Sequence, residues 1–203
     1  VDSLSVGWDK VPPAPRDAAA LKSALGGAVK MLFCGGAALP AEVERFFEDR
    51  GLPVMCGYGL SEASPVITAT TPATYSPGSV GRPLPNVEVR LAADGEVQVR
   101  GPSVMQGYWQ NDVETARAIE GGWLHTGDLG QWDAKGNLHI VGRKKELIVT
   151  AGGENVAPEP MEDQLRAHSL ISQAMLVGDN RRFIAAVVTI DEVDLGNWGI
   201  GGL

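Results

Sequence analysis

The segment from residue 29 to residue 59 places two short apolar runs on either side of a helical segment, and this order constrains the fold more than any other feature. Val29–Cys34 and Leu52–Cys56 predict buried strands. Between them, Pro40 suits the first turn of a helix and Gly51 suits its end. A strand, a helix and a strand at this spacing predict parallel strands with a right-handed crossover, which is the unit of an α/β sheet.

The sequence pattern changes after Pro77, where apolar and polar residues begin to alternate. Val87–Leu91 and Val97–Arg100 alternate on either side of an Asp94-Gly95 turn, which predicts a β-hairpin. Leu138–Val141 is a further alternating run that follows another turn. We therefore predict antiparallel β structure in this part of the chain.

The last part of the chain mixes short α and β patterns. Glu146–Thr150 predicts a strand, and the spacing of Met161 and Leu165 predicts one face of a short helix. Ser172–Val177 and Phe183–Ile190 then predict a pair of strands. This combination is typical of a small α+β lobe.

The 203 residues, of which 44% are hydrophobic, are enough to bury a sizeable core in one or two domains. From the patterns above we expect three units in chain order. Residues 1–76 form a partial α/β unit, residues 77–142 an antiparallel β subdomain, and residues 143–203 a partial small α+β lobe.

The formal net charge of −8 argues against nucleic acid as the main partner, since phosphates repel an acidic surface. No apolar run approaches the ~20 residues of a membrane-spanning helix, and the N-terminus does not have the pattern of a signal peptide. Cys34 and Cys56 are too few for a disulfide framework, and their positions at the ends of apolar runs indicate small buried residues. These features predict a cytoplasmic protein.

Glycine-rich segments follow both predicted parallel strands, at the strand ends where open α/β sheets bind ligands. Gly35-Gly36 would let a base or a phosphate approach the backbone closely. Gly57–Glu62 offers the aromatic face of Tyr58, the hydroxyl of Ser61 and the carboxylate of Glu62. Those groups suit a base, a phosphate and Mg²⁺ respectively. Each segment by itself also fits an ordinary turn.

The segment Trp123–Asp128 places a carboxylate just before a predicted β-run. Asp128 is a natural acceptor for two ribose hydroxyls, although an Asp at a turn is also typical of local turn chemistry. His125 has no donor other than Asp128 at the spacing of metal ligands, so we interpret it as a packing or hydrogen-bonding residue.

Four segments, taken in order, resemble the core motifs of the adenylate-forming (AMP-binding) superfamily. They are Gly35–Leu39, Gly57–Glu62, Gly122–Asp128 and Gly142–Ile148. The Gly-Gly-x-Asn form within Thr150–Pro158 is similar to the long-chain fatty-acid–CoA ligase (acyl-CoA synthetase) branch. The resemblance covers most of residues 29–190 and implies the C-terminal portion of the acyl-CoA synthetase-like fold.

The resemblance also implies a nucleotide-binding set. Its members are Gly36, Ala37, Gly57, Tyr58, Gly59, Ser61, Asp128 and Arg143. Within the set, Tyr58 would pack on the adenine, Ser61 would contact phosphate, and Asp128 and Arg143 would hold the ribose. Glu62 would be catalytic by binding Mg²⁺.

Lys145 matches the position in the resembled family about which the small C-terminal domain rotates between half-reactions. Gly152 and Gly153 would lie on the coenzyme A side, where that domain closes over the thioester-forming site. The resemblance implies ATP, Mg²⁺ and coenzyme A as co-substrates of a parent enzyme that also takes a fatty acid. It leaves room for peripheral contact of that parent with a membrane.

The sequence departs from the family pattern at two places. The family's phosphate loop, rich in Ser, Thr and Gly, has no match here, and Gly26–Lys30 is no substitute because it runs into a predicted strand. No lysine follows Lys145, although the family carries a catalytic lysine near its C-terminus. We therefore expect a portion of a longer parent, without activity of its own.

Two alternatives remain open. A naturally short, non-catalytic nucleotide-binding protein would explain the missing loop and lysine. An adenylating enzyme for an aryl, medium-chain or amino acid would keep the superfamily and change the substrate.

Overall fold

The structure, a computed structural model, describes residues 17–191, so residues 1–16 and 192–203 of the first and third predicted units lie outside it. The helices of the described part are α1 (Ala18–Ala24), α2 (Ala41–Glu48), α3 (Asp112–Ala118) and α4 (Glu159–Arg166). Its strands are β1 (Leu32–Gly35), β2 (Val54–Gly59), β3 (Val66–Ala69), β4 (Arg82–Pro83), β5 (Glu88–Leu91), β6 (Glu96–Arg100), β7 (Ile119–Glu120), β8 (Trp123–Trp132), β9 (Leu138–Arg143), β10 (Ile148–Val149), β11 (Asn155–Val156), β12 (Ile171–Val177) and β13 (Ala185–Ile190).

The first sheet confirms the predicted parallel pair. Its strand order is β1-β2-β3-β4, with β1 parallel to β2 and the other neighbours antiparallel. Cys34 and Cys56 are direct partners across the parallel pair, and both side chains are only half-buried. The segment Gly57–Gly59 continues β2, whereas the sequence pattern predicts that the strand has already ended at Cys56. The strand is longer than its apolar run because β3 supplies an antiparallel partner for this segment.

Helix α2 contacts β2 in the crossover between the two parallel strands. The apolar spacing of Val43, Phe46 and Phe47 predicts its buried face, yet these three are only half-buried and Glu44 is 4% exposed. The Gly78 N–H donates to Glu44 Oε2 at 2.9 Å, and the Tyr75 hydroxyl donates to Glu44 Oε1 at 3.3 Å. A buried carboxylate needs such donors, and they come from a segment more than thirty positions away.

The second sheet confirms the predicted hairpin, since β5 and β6 pair antiparallel on either side of the Asp94-Gly95 turn. The strand order is β5-β6-β8-β7, and β9 pairs with β8. An isolated bridge between Gly81 and Leu138 connects it to the first sheet. The central core draws on both sheets and is formed by Ala63, Ile67, Val97, Val99, Leu124 and Leu138.

Residues 77–142 hold more than antiparallel strands. The short strand β4 lies in this range but belongs to the first sheet, and α3 is a helix that the alternating pattern does not predict. Asn111 caps α3 by accepting a hydrogen bond from the Glu114 N–H at 3.2 Å. The helix has no buried residue, which explains why apolar spacing did not reveal it.

The last part of the described chain has the predicted α+β character, with α4 packed against the β12–β13 pair. The strand predicted over Glu146–Thr150 is reduced to β10, because a 3-10 turn occupies Lys144–Glu146. This part approaches the second sheet closely at Gly142, where an added Cβ would lie 2.9 Å from the Cβ of Ala157. Among residues 17–191, no helix has the length and apolar character needed to cross a membrane.

Candidate functional site

Tyr58 and Asp128 meet where the two sheets adjoin. Tyr58 lies near the end of β2 in the first sheet, and its hydroxyl donates to Asp128 Oδ2 at 2.6 Å. Burial, followed by this hydrogen bond to a carboxylate, raises the pKa of Tyr58 far above its ordinary value. The phenol therefore stays protonated and remains a donor to Asp128 at all physiological pH values.

Arg143 approaches the other oxygen of the same carboxylate. Asp128 in β8 and Arg143 at the end of β9 are register partners, and the Arg143 Nε lies 3.3 Å from Asp128 Oδ1. The Arg143 side chain is 64% exposed, whereas that of Asp128 is 11% exposed. The carboxylate is thus held in place by protein groups, while the guanidinium stays accessible from solvent.

The position of Asp128 differs from the one that the sequence predicts. The sequence pattern predicts a carboxylate just before a β-run, but Asp128 lies inside β8, which runs without a break from Trp123 to Trp132. The pairing of β6 with β8 shifts at this point, so Asp128 belongs to a β-bulge. A bulge re-aims side chains within a strand, which is why a ten-residue strand can direct a carboxylate toward Tyr58.

Glu62 has neighbours of its own. It lies in a 3-10 turn, Ser61–Ala63, directly after β2, and its carboxylate accepts a hydrogen bond of 3.0 Å from the Tyr108 hydroxyl. Its backbone carbonyl accepts from the Met105 N–H at 2.8 Å. Within the described part of the chain, these hydrogen bonds connect Glu62 to the segment before α3, and neither of them joins it to the Tyr58–Asp128–Arg143 group. Sequence reasoning missed Tyr108, for which the aromatic pair after Gly107 was the available signal.

The glycines of the predicted nucleotide set lie at the ends of β1 and β2. Gly35 and Gly57 are partners across the parallel pair, and an added Cβ on Gly35 would lie 3.3 Å from the Gly57 carbonyl oxygen. Gly36 has a φ of 85°, which favours glycine, and it is exposed together with Ala37. Gly59 has no room for a side chain, since an added Cβ would lie 1.7 Å from a backbone oxygen of Pro65.

Lys145, Gly152 and Gly153 are all exposed. Lys145 is the middle residue of the 3-10 turn that follows β9. Gly152 and Gly153 lie in the turn between β10 and β11, where Gly153 has a φ of 82° and donates its N–H to the Thr150 carbonyl at 2.9 Å. These three residues lie outside the hydrogen-bonded group around Asp128, and their predicted roles concern motion and coenzyme A.

A buried carboxylate that sequence reasoning missed lies beside this group. Glu96, the first residue of β6, is 5% exposed and accepts hydrogen bonds from the Gly127 N–H and from His125, both at 3.0 Å. Lys144 Nζ lies 3.3 Å from the same carboxylate. Burial opposes ionisation of Glu96, but these donors outweigh it and lower its pKa. His125 is therefore a hydrogen-bonding residue, as its sequence context predicts.

Comparison with known proteins finds two family models that match this chain. The family model of the AMP-binding enzymes matches residues 8–109, and the model of the AMP-binding enzyme C-terminal domain matches residues 145–195. This chain belongs to the AMP-binding enzyme family. Of the candidate residues above, those in β2 and the turn after it fall within the first match, and Lys145, Gly152 and Gly153 fall within the second. Asp128 and Arg143 lie between the two matched ranges.

Among its curated relatives, this member of the AMP-binding enzyme family is 49% identical over 178 residues to the long-chain-fatty-acid–CoA ligase FadD15 of Mycobacterium tuberculosis. The match covers 88% of this chain and 30% of that relative, so the chain spans less than a third of the relative's length. It does not reach the remaining part of that protein.

Solved structures of the family resemble the fold. O-succinylbenzoate CoA synthetase of Bacillus subtilis, in complex with its acyl-adenylate intermediate, superposes with a TM-score of 0.74 at 27% identity, covering 88% of this chain and 42% of that one. The same enzyme in complex with ATP and a magnesium ion gives a TM-score of 0.71 at 26% identity, covering 91% of this chain and 43% of that one. The mixed α/β fold is therefore that of the adenylate-forming ligases.

Proposed function

We propose that this chain carries the adenosine-binding side of the active site of an ATP-dependent long-chain fatty-acid–CoA ligase. The observation that supports this most is the convergence of Tyr58, Asp128 and Arg143, which come from three strands in two sheets. An aromatic ring suits a base, and a carboxylate held at both oxygens beside an accessible guanidinium suits a ribose diol. The identity of 49% to FadD15 favours a long-chain fatty acid as the substrate.

In this proposal, the adenine packs on Tyr58 beside the open backbone of Gly36, Ala37 and Gly57. Gly59 lets the end of β2 pack directly against the backbone of Pro65, because it has no side chain, and this contact sets where the turn after β2 begins. Asp128 is the acceptor for the ribose hydroxyls. Ser61 is exposed at the start of the 3-10 turn after β2, where its hydroxyl is free to reach a phosphate oxygen.

Glu62 suits a magnesium ion that arrives with the nucleotide. Within residues 17–191 there is no cluster of three or more His, Cys, Asp or Glu that could hold a metal by itself. Mg²⁺, however, is commonly bound through one or two carboxylates together with substrate phosphates. The half-buried Glu62, oriented by the Tyr108 hydroxyl at 3.0 Å, fits that mode. The ion would neutralise charge on the phosphates.

The proposed reaction has two steps. The fatty acid carboxylate attacks the α-phosphorus of ATP, the bond to the bridging oxygen breaks, and pyrophosphate leaves. The coenzyme A thiol then attacks the acyl carbon, AMP leaves and the thiol proton passes to solvent. The residues of this chain contribute by positioning the adenosine and by charge neutralisation. Lys145 is the proposed pivot between the steps, and Gly152 and Gly153 would approach coenzyme A.

Binding of AMP to the chain tests the nucleotide site directly. Asp128→Asn removes the charge that accepts the ribose hydroxyls, and hydrogen bonds to charged groups contribute about 1.5–3 kcal/mol each, so AMP affinity should fall by about tenfold or more. Asp49→Asn is the matched control, because Asp49 is exposed at the end of α2. Isothermal titration calorimetry that finds no AMP binding by the unmodified chain, or equal affinities for all three proteins, would overturn the assignment.

A further inference from the structure

The β-bulge that presents Asp128 faces a single residue of the neighbouring strand. In the pairing of β6 with β8, Glu96 lies opposite Leu129, and Gln98 lies opposite His125. Val97 therefore faces the three residues 126–128. A bulge of this size interrupts the hydrogen bonds between the strands, so its shape depends on other groups that bind its backbone.

The missing hydrogen bonds are replaced by two side chains. The Gly127 N–H donates to Glu96 Oε1 at 3.0 Å, and the Thr126 hydroxyl donates to the Val97 carbonyl at 2.8 Å. The same hydroxyl oxygen accepts from the Asp128 N–H at 3.1 Å. Gly127 has a φ of 74°, in the left-handed region where glycine is favoured. On the side that faces β6, the Gly127 and Asp128 N–H groups are therefore bound by Glu96 and by Thr126.

The second oxygen of Glu96 faces the end of β9. His125 Nδ1 lies 3.0 Å from Glu96 Oε2, and Lys144 Nζ lies 3.3 Å from the same oxygen. Lys144 also pairs with Asp94 Oδ2 at 2.5 Å, on the turn before β6. The Glu96 side chain is 6% exposed, whereas those of Asp94 and Lys144 are 48% and 47% exposed. Because Lys144 directly follows Arg143, one buried carboxylate contacts both segments that supply the ribose site.

We propose that Glu96 is a positioning residue of the nucleotide site, which fixes the Asp128 bulge through Oε1 and the chain after Arg143 through Oε2. The inference rests on the proposed function, because it gives Asp128 and Arg143 their ligand. A carboxylate must be held within about 0.5 Å to accept two neighbouring hydroxyls, so loss of the Glu96 contacts lowers affinity without removing a group that touches the nucleotide.

Three variants distinguish the effect of the Glu96 contacts from the effect of the exposed charge at Asp94. Glu96→Ala removes both sets of contacts. Glu96→Gln keeps an oxygen acceptor for the Gly127 N–H and removes the charge that faces Lys144. Asp94→Asn is the matched control, because it weakens the exposed partner of Lys144. The asparagine keeps a side-chain oxygen for the Glu96 N–H, which donates to Asp94 Oδ1 at 3.1 Å.

The first measurement needs no ligand. Amide hydrogen exchange, followed by nuclear magnetic resonance, should show that Gly127 loses protection by about tenfold in Glu96→Ala, the factor expected from one hydrogen bond to a charged acceptor. Glu96→Gln should restore most of that protection, and Asp94→Asn should leave it unchanged. Unchanged protection of Gly127 in both Glu96 variants would overturn the proposal.

The second measurement is the affinity for AMP in variants whose melting temperature shows that they are folded. We expect a loss of about tenfold for Glu96→Ala and less than about twofold for Asp94→Asn, since only the former releases the bulge. If Glu96→Ala does not fold, Glu96→Gln decides, because it should bind AMP more weakly than Asp94→Asn. Equal affinities of folded Glu96 and Asp94 variants would overturn the proposal.

Failure of the unmodified chain to bind AMP would instead overturn the proposed function, and Gly127 exchange would still decide the role of Glu96 in the bulge.

Discussion

The Tyr58 hydroxyl donates a hydrogen bond of 2.6 Å to Asp128, a residue 70 positions later in the chain and in a different sheet. The phenol satisfies one oxygen of a carboxylate that is largely withdrawn from solvent, and Arg143 lies beside the other. This contact brings two separate sequence motifs together, and its contribution can be tested by removing a single oxygen atom.

Tyr58→Phe should destabilise the chain while preserving most of the stacking surface for a base. A hydrogen bond to a charged group contributes about 1.5–3 kcal/mol, so we expect the free energy of unfolding in urea to fall by roughly that amount. Tyr108→Phe is the control, since Tyr108 is exposed and its partner Glu62 is accessible. A surface change of this kind should alter stability by less than about 0.5 kcal/mol. Equal effects of the two substitutions would contradict this role of Tyr58.

Gly59→Ala should be severely destabilising, although it adds one methyl group to a half-buried residue. The added Cβ would lie 1.7 Å from the Pro65 carbonyl oxygen, so the backbone of β2 or β3 must move. We expect a loss of about 3 kcal/mol or more in unfolding free energy. Gly152→Ala is the matched control, because the nearest atom to its added Cβ is the Thr150 Oγ1 at 3.7 Å. Thermal melting that finds both variants equally stable would show that β2 ends differently.

Cys56 should react slowly with alkylating reagents at neutral pH in spite of its partial exposure. Burial, together with the nearby carboxylate of Glu44 and the thiol of Cys34, raises the pKa of Cys56 from 9.0 to about 11. The thiolate is the reactive form, so the iodoacetamide rate should rise about tenfold per pH unit through pH 9 and level off only near the raised pKa.

The alkylation experiment uses Cys34→Ser, so that Cys56 is the only thiol in the chain. The substitution removes the smallest of the three causes and keeps burial and Glu44, so the pKa of Cys56 should remain raised. The folded state favours the neutral thiol of Cys56, so this group also costs stability as the pH rises from 9.0 towards about 11. The same protein unfolded in urea should show a rate that levels off near the ordinary thiol pKa. Identical pH profiles for the folded and unfolded chains would refute the raised pKa.

The purified 203-residue chain should bind AMP without forming an acyl adenylate. Its sequence has no match to the superfamily's phosphate loop and no lysine after Lys145, and the loss of one preorganised charge contact typically costs about 10²–10³ in rate. Pyrophosphate release would be measured with ATP, Mg²⁺ and a panel of fatty acids, with the full-length FadD15 relative run in parallel. Fatty-acid-dependent release by this chain would contradict the expectation and would point to another catalytic arrangement.

Local pattern predicted the elements whose cause is local. The Asp94-Gly95 turn between alternating runs predicted the β5–β6 hairpin, and the spacing from Val29 to Cys56 predicted the parallel pair around α2. Turn chemistry and apolar period act over a few residues, so a single sequence contains them. The sequence pattern did not predict helix α3, because this helix buries no residue and therefore shows no apolar stripe.

The sequence by itself therefore determined the family and the order of its motifs, and it supplied the candidates for the residues that carry the chemistry. Only the tertiary structure decided how those residues are held. Glu96 and Glu44 are charged residues that no periodicity marks as buried, and their burial is possible because donors arrive from distant segments. The bulge at Asp128 likewise exists because β6 and β8 pair out of register. A buried carboxylate is stable only beside its donors, and which donors meet it depends on how the sheets pack together.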